Sequence, residues 1–491
     1  MISVLNRPQL LSGSKLLFFL FLIFSLSSCN LFKKLPVDED EKFEDKENLD
    51  DLQGKKVYDP VTGTYVFVPD NILTAKMDTI LWKDTPINPD QMITTEGAFV
   101  EDGDRIEVLG ENEIGSKFLS AYNVSVILPF MSQRFDPNSL QISRSSLMAL
   151  NYYSGIRMAL DELDSEGIKL NVRTFDSQAS ESVVSNLLRS NTDVQNAHLI
   201  MGPFKTENVR MVAENVKGTG QVFVSPYSAG TSLSMRNPNY IQVSPTLKTH
   251  CEAIIRHARK KYRPDQVVLV TRDRRTERES LSYFQEENYR IIGQRNPEKQ
   301  LNEYIISNDE DFEQIDILPL LELQDTTVFI IPSWQETFVY SLLRKIELAR
   351  GEFSHIVVYG MPQWASFELI DFEYYEKLNV HISSNTFIDQ VQSDIKFFRS
   401  RFFERFGSSP TNEAFIGYDL MLYMGRMLKK HGTKFQYALD RESARYLHTR
   451  FDFNQVVIPT TTGAENLPIE QFENKHVNIL EFQDYYFQLS N

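Results

Sequence analysis

The residues best suited to bind a ligand come directly after short apolar runs of the sequence. They carry hydroxyl, amide, ammonium, guanidinium or aromatic groups, or lie beside such a group: Ser132, Gln133, Lys205, Tyr227, Ser228, Ala229, Arg272, Trp334 and Gln363. Hydroxyls and amides form hydrogen bonds, cationic groups bind anions, and aromatic rings stack on flat ligands. These residues predict a site that recognises a small polar ligand.

Several of these residues also have a structural interpretation. Trp334, Trp364 and Tyr227 would either stack on the face of a ligand or pack in a core or an interface, and Ser228 is suited to capping a helix. The arginines of residues 272–278 (RDRRTER) would bind a carboxylate or a phosphate. Because acidic residues are interleaved with them, a solvated salt-bridge loop is the alternative interpretation. Both interpretations remain open at the level of sequence.

The sequence lacks signatures of catalysis, so we predict a protein that is not an enzyme and uses no metal or cofactor. It contains no P-loop, HExxH or GxSxG motif and no CxxC pair. His250 and His257 are too far apart along the chain for the usual metal pair on one helix. With 51 basic and 67 acidic residues the formal charge is −16, which excludes general nucleic-acid binding.

Alternating strand and helix patterns position the candidate residues. Strand-like runs are separated by segments of helical periodicity, and the runs comprise residues 124–128, 170–175, 198–201, 222–224, 267–270, 327–331 and 355–359. Because such alternation builds parallel sheets covered by helices, and the region is too long for one sheet, we predict an α/β fold with two doubly wound parallel-sheet lobes. The candidate residues then lie at the carboxyl ends of strands, where such sheets bind ligands.

Five motifs in sequence order carry a family resemblance. They are YSGIRMAL (153–160), Asp176-Ser177, Met201-Gly202-Pro203, VSPYSA (224–229) and FFERFGSSPT (402–411), the last followed by Gly417-Tyr418-Asp419. On these motifs, the chain from about residue 122 onward resembles the type 1 periplasmic binding proteins of the branched-chain amino acid receptor group. The resemblance implies two hinged lobes, three chain crossings between them and a ligand in the cleft. It also implies that lobe one comprises residues 122–244 plus 384–450 and lobe two residues 245–383 plus 451–491.

Three positions depart from the amino-acid-binding pattern of that family. Ala229 replaces a hydroxyl residue, Gln363 replaces the acidic residue that holds the ligand ammonium, and residues 272–278 replace an aromatic residue. A neutral amide leaves a buried ammonium unpaired, which costs several kcal/mol. These departures disfavour a free α-amino acid as the ligand.

The N-terminal residues predict export and lipidation. Residues 1–28 have the pattern of a signal peptide, with an apolar run too short to cross a membrane. The run ends in Leu26-Ser27-Ser28-Cys29, which resembles a bacterial lipobox and implies lipid on Cys29; an ordinary signal peptide with a chance cysteine is the alternative. Residues 29–56 are predicted to be an acidic tether and residues 57–121 a small strand-rich extension that begins with a hairpin.

These features predict a lipid-anchored protein of the cell envelope. The residue after Cys29 is Asn30 rather than an aspartate, which indicates the outer membrane, facing the periplasm. The leading interpretation is a binding protein that closes two lobes around a small polar ligand, amino-acid-like or other, and serves an ABC transporter. The alternative is an interaction lipoprotein of the same fold, such as an activator of peptidoglycan synthesis, whose partner is an envelope enzyme.

Overall fold

The structure is a computed structural model that describes residues 54–59, 64–69, 115–136, 138, 142–230, 233–307, 315–322, 324–351, 355–457 and 469–490. The chain divides into two compact units, residues 1–93 and 94–491. In the first unit, β1 (Gly54–Asp59) and β2 (Thr64–Pro69) pair in antiparallel fashion. The predicted hairpin is therefore confirmed, although β1 begins inside the segment that was predicted to be tether. The predicted signal peptide, Cys29 and most of the tether lie outside the described residues, as does the extension between residues 70 and 114.

Strands and helices alternate through the second unit. The first group comprises β3 (Tyr122–Leu128), α1 (Arg144–Ser165), β4 (Leu170–Asp176), α2 (Glu181–Ser190), α3 (Thr192–Gln195), β5 (Leu199–Met201), α4 (Thr206–Val216), β6 (Val222–Ser225) and β7 (Tyr240–Gln242). The second comprises α5 (Leu247–Lys261), β8 (Val267–Arg272), α6 (Arg275–Ile292), β9 (Asn302–Ile306), β10 (Thr326–Ile330), α7 (Glu336–Ala349), β11 (His355–Gly360), α8 (Phe372–Lys377) and β12 (Val380–Ser384). The third comprises α9 (Ser393–Phe406), α10 (Asn412–His431), β13 (Ala444–Arg445), β14 (Arg450–Phe451), β15 (Phe453–Val457), β16 (Ile469–Asn474), β17 (Asn478–Gln483) and β18 (Tyr486–Leu489). Among the described residues, no helix is both long and apolar enough to cross a membrane.

Two seven-stranded sheets organise these elements and define the two lobes. Sheet one has the order β15-β16-β7-β6-β5-β3-β4 and is parallel from β16 to β4. Sheet two has the order β18-β17-β12-β11-β10-β8-β9, with β8 to β12 parallel and β17–β18 as an antiparallel hairpin. Inner strands such as β5 and β6 are buried along their whole length, as expected when both faces of a parallel sheet are covered. The predicted α/β fold with two doubly wound lobes is confirmed.

The chain passes between the two sheets three times, at residues 243–246, 385–392 and 475–477. The first passage leaves the carboxyl end of β7 and the second leaves the carboxyl end of β12. The third leaves the carboxyl end of β16, which is parallel to β7, and enters β17, which is antiparallel to β12. All three passages therefore lie at the carboxyl edges of the two sheets.

The lobe boundary predicted at residue 451 is wrong. Strands β15 and β16 belong to sheet one, because β16 pairs with β7 and places Phe472 opposite Ile241. Phe453 and Phe472 are buried in the core of lobe one, which holds this hairpin in place. Of the strands after residue 450, only β17 and β18, which follow the third passage, belong to sheet two.

Lobe one is held together by the close packing of α1 on α10. A Cβ atom on Gly155 would lie 1.9 Å from the carbonyl oxygen of Ala414, and one on Gly417 would lie 2.1 Å from the carbonyl oxygen of Tyr152. The two helices are therefore in backbone contact at these glycines. This packing fixes α1, which follows the loop that carries Ser132 and Gln133.

Candidate ligand-binding site

The candidate residues named from the sequence all lie at or just after the carboxyl ends of parallel strands. In lobe one, Ser132 and Gln133 follow β3, Lys205 follows β5, and Tyr227, Ser228 and Ala229 follow β6. In lobe two, Arg272 ends β8, Trp334 follows β10, and Gln363 follows β11. The three passages of the chain lie at these same edges, so the candidate residues of each lobe lie at the edge from which the chain passes to the other lobe.

Ser132 is bonded to a carboxylate of its own lobe. Its hydroxyl donates to Asp176 Oδ2 at 2.6 Å and its amide donates to the same oxygen at 2.8 Å. Partial burial raises the pKa of Asp176, but the hydrogen bonds from the Ser132 hydroxyl and from nearby backbone amides outweigh it and leave the pKa below its usual value. The Ser132 hydroxyl is thus committed as a donor, while its neighbour Gln133 is exposed.

An aromatic cluster lies behind the loop after β6. The ring of Tyr227 meets Phe204 edge-on with centroids 4.6 Å apart, and Tyr152 completes the cluster at 5.3 Å from Phe204. The hydroxyls of Tyr152 and Tyr227 are buried and have no hydrogen-bond partner. Burial raises the pKa of Tyr227 well above its usual value, so this hydroxyl stays neutral.

The hydroxyl of Ser228 is also buried and without a partner. The interpretation of Ser228 as a helix cap is wrong, because no helix of the described residues begins beside it. Ala229, the next residue, is exposed. Lys205 is about half exposed and lies between Glu181 and Glu207, at 3.6 and 3.7 Å from their carboxylate oxygens.

Arg272 is neutralised inside lobe two. Its guanidinium is bound by the carboxylate of Glu277, with Nε at 3.0 Å from Oε1, and it donates to Ser333 Oγ at 3.0 Å. The guanidinium also lies over the ring of Phe338 at 4.5 Å. Both members of the ion pair are largely buried, with 11% and 7% of their side chains exposed. A salt bridge therefore forms at Arg272 and balances its charge, but it is buried rather than solvated, and residues 275–278 begin α6 rather than form a loop.

A cavity of about 340 Å³ opens at the carboxyl edge of sheet two. Its lining residues come from the start of α5, the end of β8, the start of α6 and the loop after β10: Leu247, Arg272, Arg274, Thr276, Glu277, Pro332, Trp334 and Gln335. Trp334 is 47% exposed, so its ring is accessible to a ligand. Of the residues predicted from the sequence, Arg272 and Trp334 line this cavity.

Arg274 is a candidate that sequence reasoning did not single out, although it lies in the basic stretch 272–278. Its Nη1 donates to Gln335 Oε1 at 3.0 Å, and it forms no ion pair with the carboxylates of the described residues. Gln335 Oε1 also accepts from Arg272, so one amide oxygen holds both guanidinium groups. The signal in the sequence was an excess of arginine over acidic residues in this stretch.

The two remaining aromatic and amide candidates of lobe two differ in exposure. Gln363 is exposed, whereas Trp364 is fully buried, with its indole nitrogen donating to the Ser333 carbonyl at 2.9 Å. The stacking role considered for Trp364 is therefore wrong, because its ring packs in the core of lobe two against Tyr375. This packing supports the loop that carries Ser333 and Trp334.

A second cavity, of about 440 Å³, lies on the outer side of lobe one between α1 and β4. It is lined by residues such as Tyr153, Arg157 and Val172 and contains none of the predicted site residues. Within the described parts of the chain, no cluster of three or more His, Cys, Asp or Glu side chains is arranged to hold a metal. Cys251 is a buried core residue of lobe two.

Comparison with known proteins defines the fold. No family model matches the sequence, and a search of curated proteins found no match. Among solved structures, a putative branched-chain amino acid ABC transporter protein from Rhodospirillum rubrum is similar with a TM-score of 0.52 at 14% identity, covering 75% of this chain and 100% of that one. An ABC transporter substrate-binding protein from Desulfitobacterium hafniense is similar with a TM-score of 0.50, at the same identity and coverage. The chain therefore has the two-lobed fold of the type 1 periplasmic binding proteins, as the motifs predicted.

Proposed function

We propose that the chain is an extracytoplasmic solute-binding protein that closes its two lobes on a small polar ligand and serves an ABC transporter. The observation that carries this proposal is the position of the three passages, which all lie at the carboxyl edges of both sheets. Open α/β sheets bind ligands at this edge, and short connecting segments allow two lobes to close by hinge motion.

Each lobe contributes groups suited to a ligand. In lobe one, the buried hydroxyls of Tyr227 and Ser228 lack hydrogen-bond partners. In lobe two, a cavity of about 340 Å³ is lined by Arg274 and Trp334. Unpaired polar groups at the carboxyl edge of one sheet and a cavity at the carboxyl edge of the other support binding of a small molecule.

The test combines thermal unfolding with small-angle X-ray scattering in the presence of amino acids, peptides, sugars and cell-wall fragments. We expect one of these classes to raise the melting temperature and to reduce the radius of gyration as the lobes close. Ser228→Ala should weaken that binding, whereas Ser400→Ala, on the exposed surface of α9, should not. If no class stabilises the protein or changes its dimensions, solute binding is contradicted.

We also propose that the protein is anchored by lipid on Cys29, because Leu26-Ser27-Ser28-Cys29 has the form of a lipobox. Several acyl chains on one residue give stable membrane attachment. In cells supplied with labelled palmitate, the wild type should incorporate label and fractionate with the outer membrane. Cys29→Ser should lose the label, while Cys251→Ser, which changes the other cysteine, should retain it. A wild type without label would contradict the anchor.

A second candidate function is an interaction lipoprotein that activates an envelope enzyme such as a peptidoglycan synthase. It is favoured because polar side chains of lobe one that could bind a ligand already contact other side chains of the protein. Ser132 is bonded to Asp176, and Lys205 lies between Glu181 and Glu207. Affinity purification from envelope extracts, followed by native mass spectrometry, separates the two candidates. An envelope enzyme in stoichiometric amount supports the interaction role, whereas a bound solute without a protein partner supports solute binding.

A further inference from the structure

The cavity of lobe two carries one positive charge that no carboxylate of the described residues balances. Three ionisable side chains line it, namely Arg272, Arg274 and Glu277. The charge of Glu277 is balanced by Arg272, whose guanidinium donates to both carboxylate oxygens of Glu277. Arg274 is exposed and forms no ion pair among the described residues, so its charge is available to a ligand.

The remaining walls of the cavity are flat or apolar. Trp334 presents an exposed indole ring, and Leu247 and Pro332 contribute aliphatic surface. The volume of about 340 Å³ lies near the lower end of the range for small-molecule sites. A single ring or a short chain with one charged group is of matching size.

We propose that lobe two selects a small monoanion with a flat apolar body, whose carboxylate binds Arg274 and whose body stacks on Trp334. This inference rests on the proposed function, since it names the ligand class of the same cleft. Gln335 positions the Arg274 guanidinium, because its side-chain oxygen accepts from Arg274 at 3.0 Å and is itself held by Arg272. A planar guanidinium bound on one edge retains donors for a carboxylate on the other.

The same charges argue against a cationic or zwitterionic ligand. Glu336, the acidic residue nearest in the chain to Trp334, accepts from the Leu369 amide and does not line the cavity. Asp273 is paired with Arg278 at 2.8 Å and also does not line it. A ligand ammonium in this cavity would therefore meet Arg274 and find no free carboxylate in the lining, which disfavours it electrostatically.

The experiment titrates the full chain by calorimetry with three probes that share one body and differ in charge: phenylacetate, phenylacetamide and phenethylamine. We expect phenylacetate to bind about tenfold more tightly than phenylacetamide, as one charge-assisted hydrogen-bonded pair provides, and phenethylamine to bind least. Arg274→Gln should remove the preference for the anion. Trp334→Ala should weaken the binding of phenylacetate and of phenylacetamide to the same extent. Arg278→Gln, in the first turn of α6 but outside the cavity lining, should change neither affinity.

The inference is overturned if phenylacetate does not bind, if the amide or the amine binds as tightly, or if Arg274→Gln leaves the preference unchanged. The proposed function is judged separately, by whether any solute of the wider panel closes the lobes in scattering experiments. Closure by a neutral or zwitterionic solute alone would leave the solute-binding role standing and reject the anionic ligand. Absence of closure with every solute would reject both.

Discussion

Two hydroxyl groups at the carboxyl edge of sheet one, those of Tyr227 and Ser228, are buried without a hydrogen-bond partner. Such a group loses its bonds to water on folding, at a cost of about 1–3 kcal/mol. The ligand-free protein is less stable as a result. A ligand that supplied the missing partners would recover this free energy, so we expect these two residues to couple stability to affinity.

We predict that Tyr227→Phe stabilises the ligand-free protein by about 1 kcal/mol, because it removes a hydroxyl that has no partner while keeping the ring packed on Phe204. The same change should weaken binding of the ligand. Urea unfolding measures the first effect and calorimetry the second. The matched control is Tyr375→Phe. The Tyr375 hydroxyl donates to the Trp364 carbonyl at 3.0 Å, so its loss should lower the free energy of unfolding by a similar amount. Shifts of the same sign in both variants would contradict the prediction.

The positions of the site residues could be predicted from the sequence, but their partners could not. Strand ends follow from local apolar runs, so Tyr227 and Arg272 lie where the pattern put them. The partner of Ser132 is Asp176, on a neighbouring strand far along the chain, and only the pairing of β3 with β4 brings the two together. Local pattern contains no information about such a contact.

The contact between α1 and α10 is the clearest case in which an element depends on single residues. We predict that Gly417→Ala destabilises the protein by about 3 kcal/mol or more, because its Cβ would lie 2.1 Å from the Tyr152 carbonyl oxygen and must push two backbones apart. Thermal or urea unfolding measures the effect. Gly218→Ala is the matched control, since no atom lies within 4 Å of its added Cβ. Equal stability of the two variants would show that the helices are not in backbone contact.

The hinge elements are joined by one buried carboxylate. Glu473, at the end of β16, accepts from the Thr246 amide at 2.8 Å and from the Thr249 hydroxyl at 2.7 Å. Its second oxygen binds Lys475. Glu473 therefore connects the first passage with the third, and we expect it to hold their relative position.

We predict that Glu473→Gln lowers the free energy of unfolding by about 2–3 kcal/mol, because it removes the charge from a buried pair and leaves Lys475 without its counter-ion. It should also broaden the distribution of interlobe distances measured by scattering or by paired spin labels. Glu286→Gln is the control, since Glu286 forms only an exposed pair with Lys248 at 3.8 Å and should change stability by less than about 1 kcal/mol. A hinge variant no less stable than the control would contradict this account.

The order of the elements could be predicted, but the place of the third passage could not. Up to β12, each strand lies in its sheet beside strands that are close to it along the chain, so the local pattern is enough to predict the pairing. β16 returns to sheet one and lies beside β7, more than 200 residues earlier in the chain. The burial of Phe453 and Phe472 in lobe one decides this pairing, and an isolated phenylalanine in a short strand does not reveal which core it will join.

For the whole molecule, we predict that stability falls as the pH drops from 7.5 to 5. Burial lowers the pKa of His250, in α5 just after the first passage, to about 4, although the nearby Glu473 carboxylate opposes the shift. In the unfolded chain a histidine takes up a proton near pH 6.5. Between these values the unfolded state holds more protons than the folded state, so acid favours unfolding, by about 2 kcal/mol at pH 5 for His250. Burial also lowers the pKa of His257 and His381, which adds to the effect.

Urea unfolding at pH 7.5 and pH 5 measures this loss, and comparison with His250→Gln assigns part of it. The variant should lose about 2 kcal/mol less than the wild type between the two pH values, whereas His355→Gln, at an exposed position, should lose as much as the wild type. Asp176 and Glu442 have pKa values below their usual range, so their contribution disappears only at lower pH and does not enter this window. If the wild type and His250→Gln lose the same stability, His250 is protonated equally in the folded and unfolded chains, and its burial beside the hinge has no effect on the response to acid.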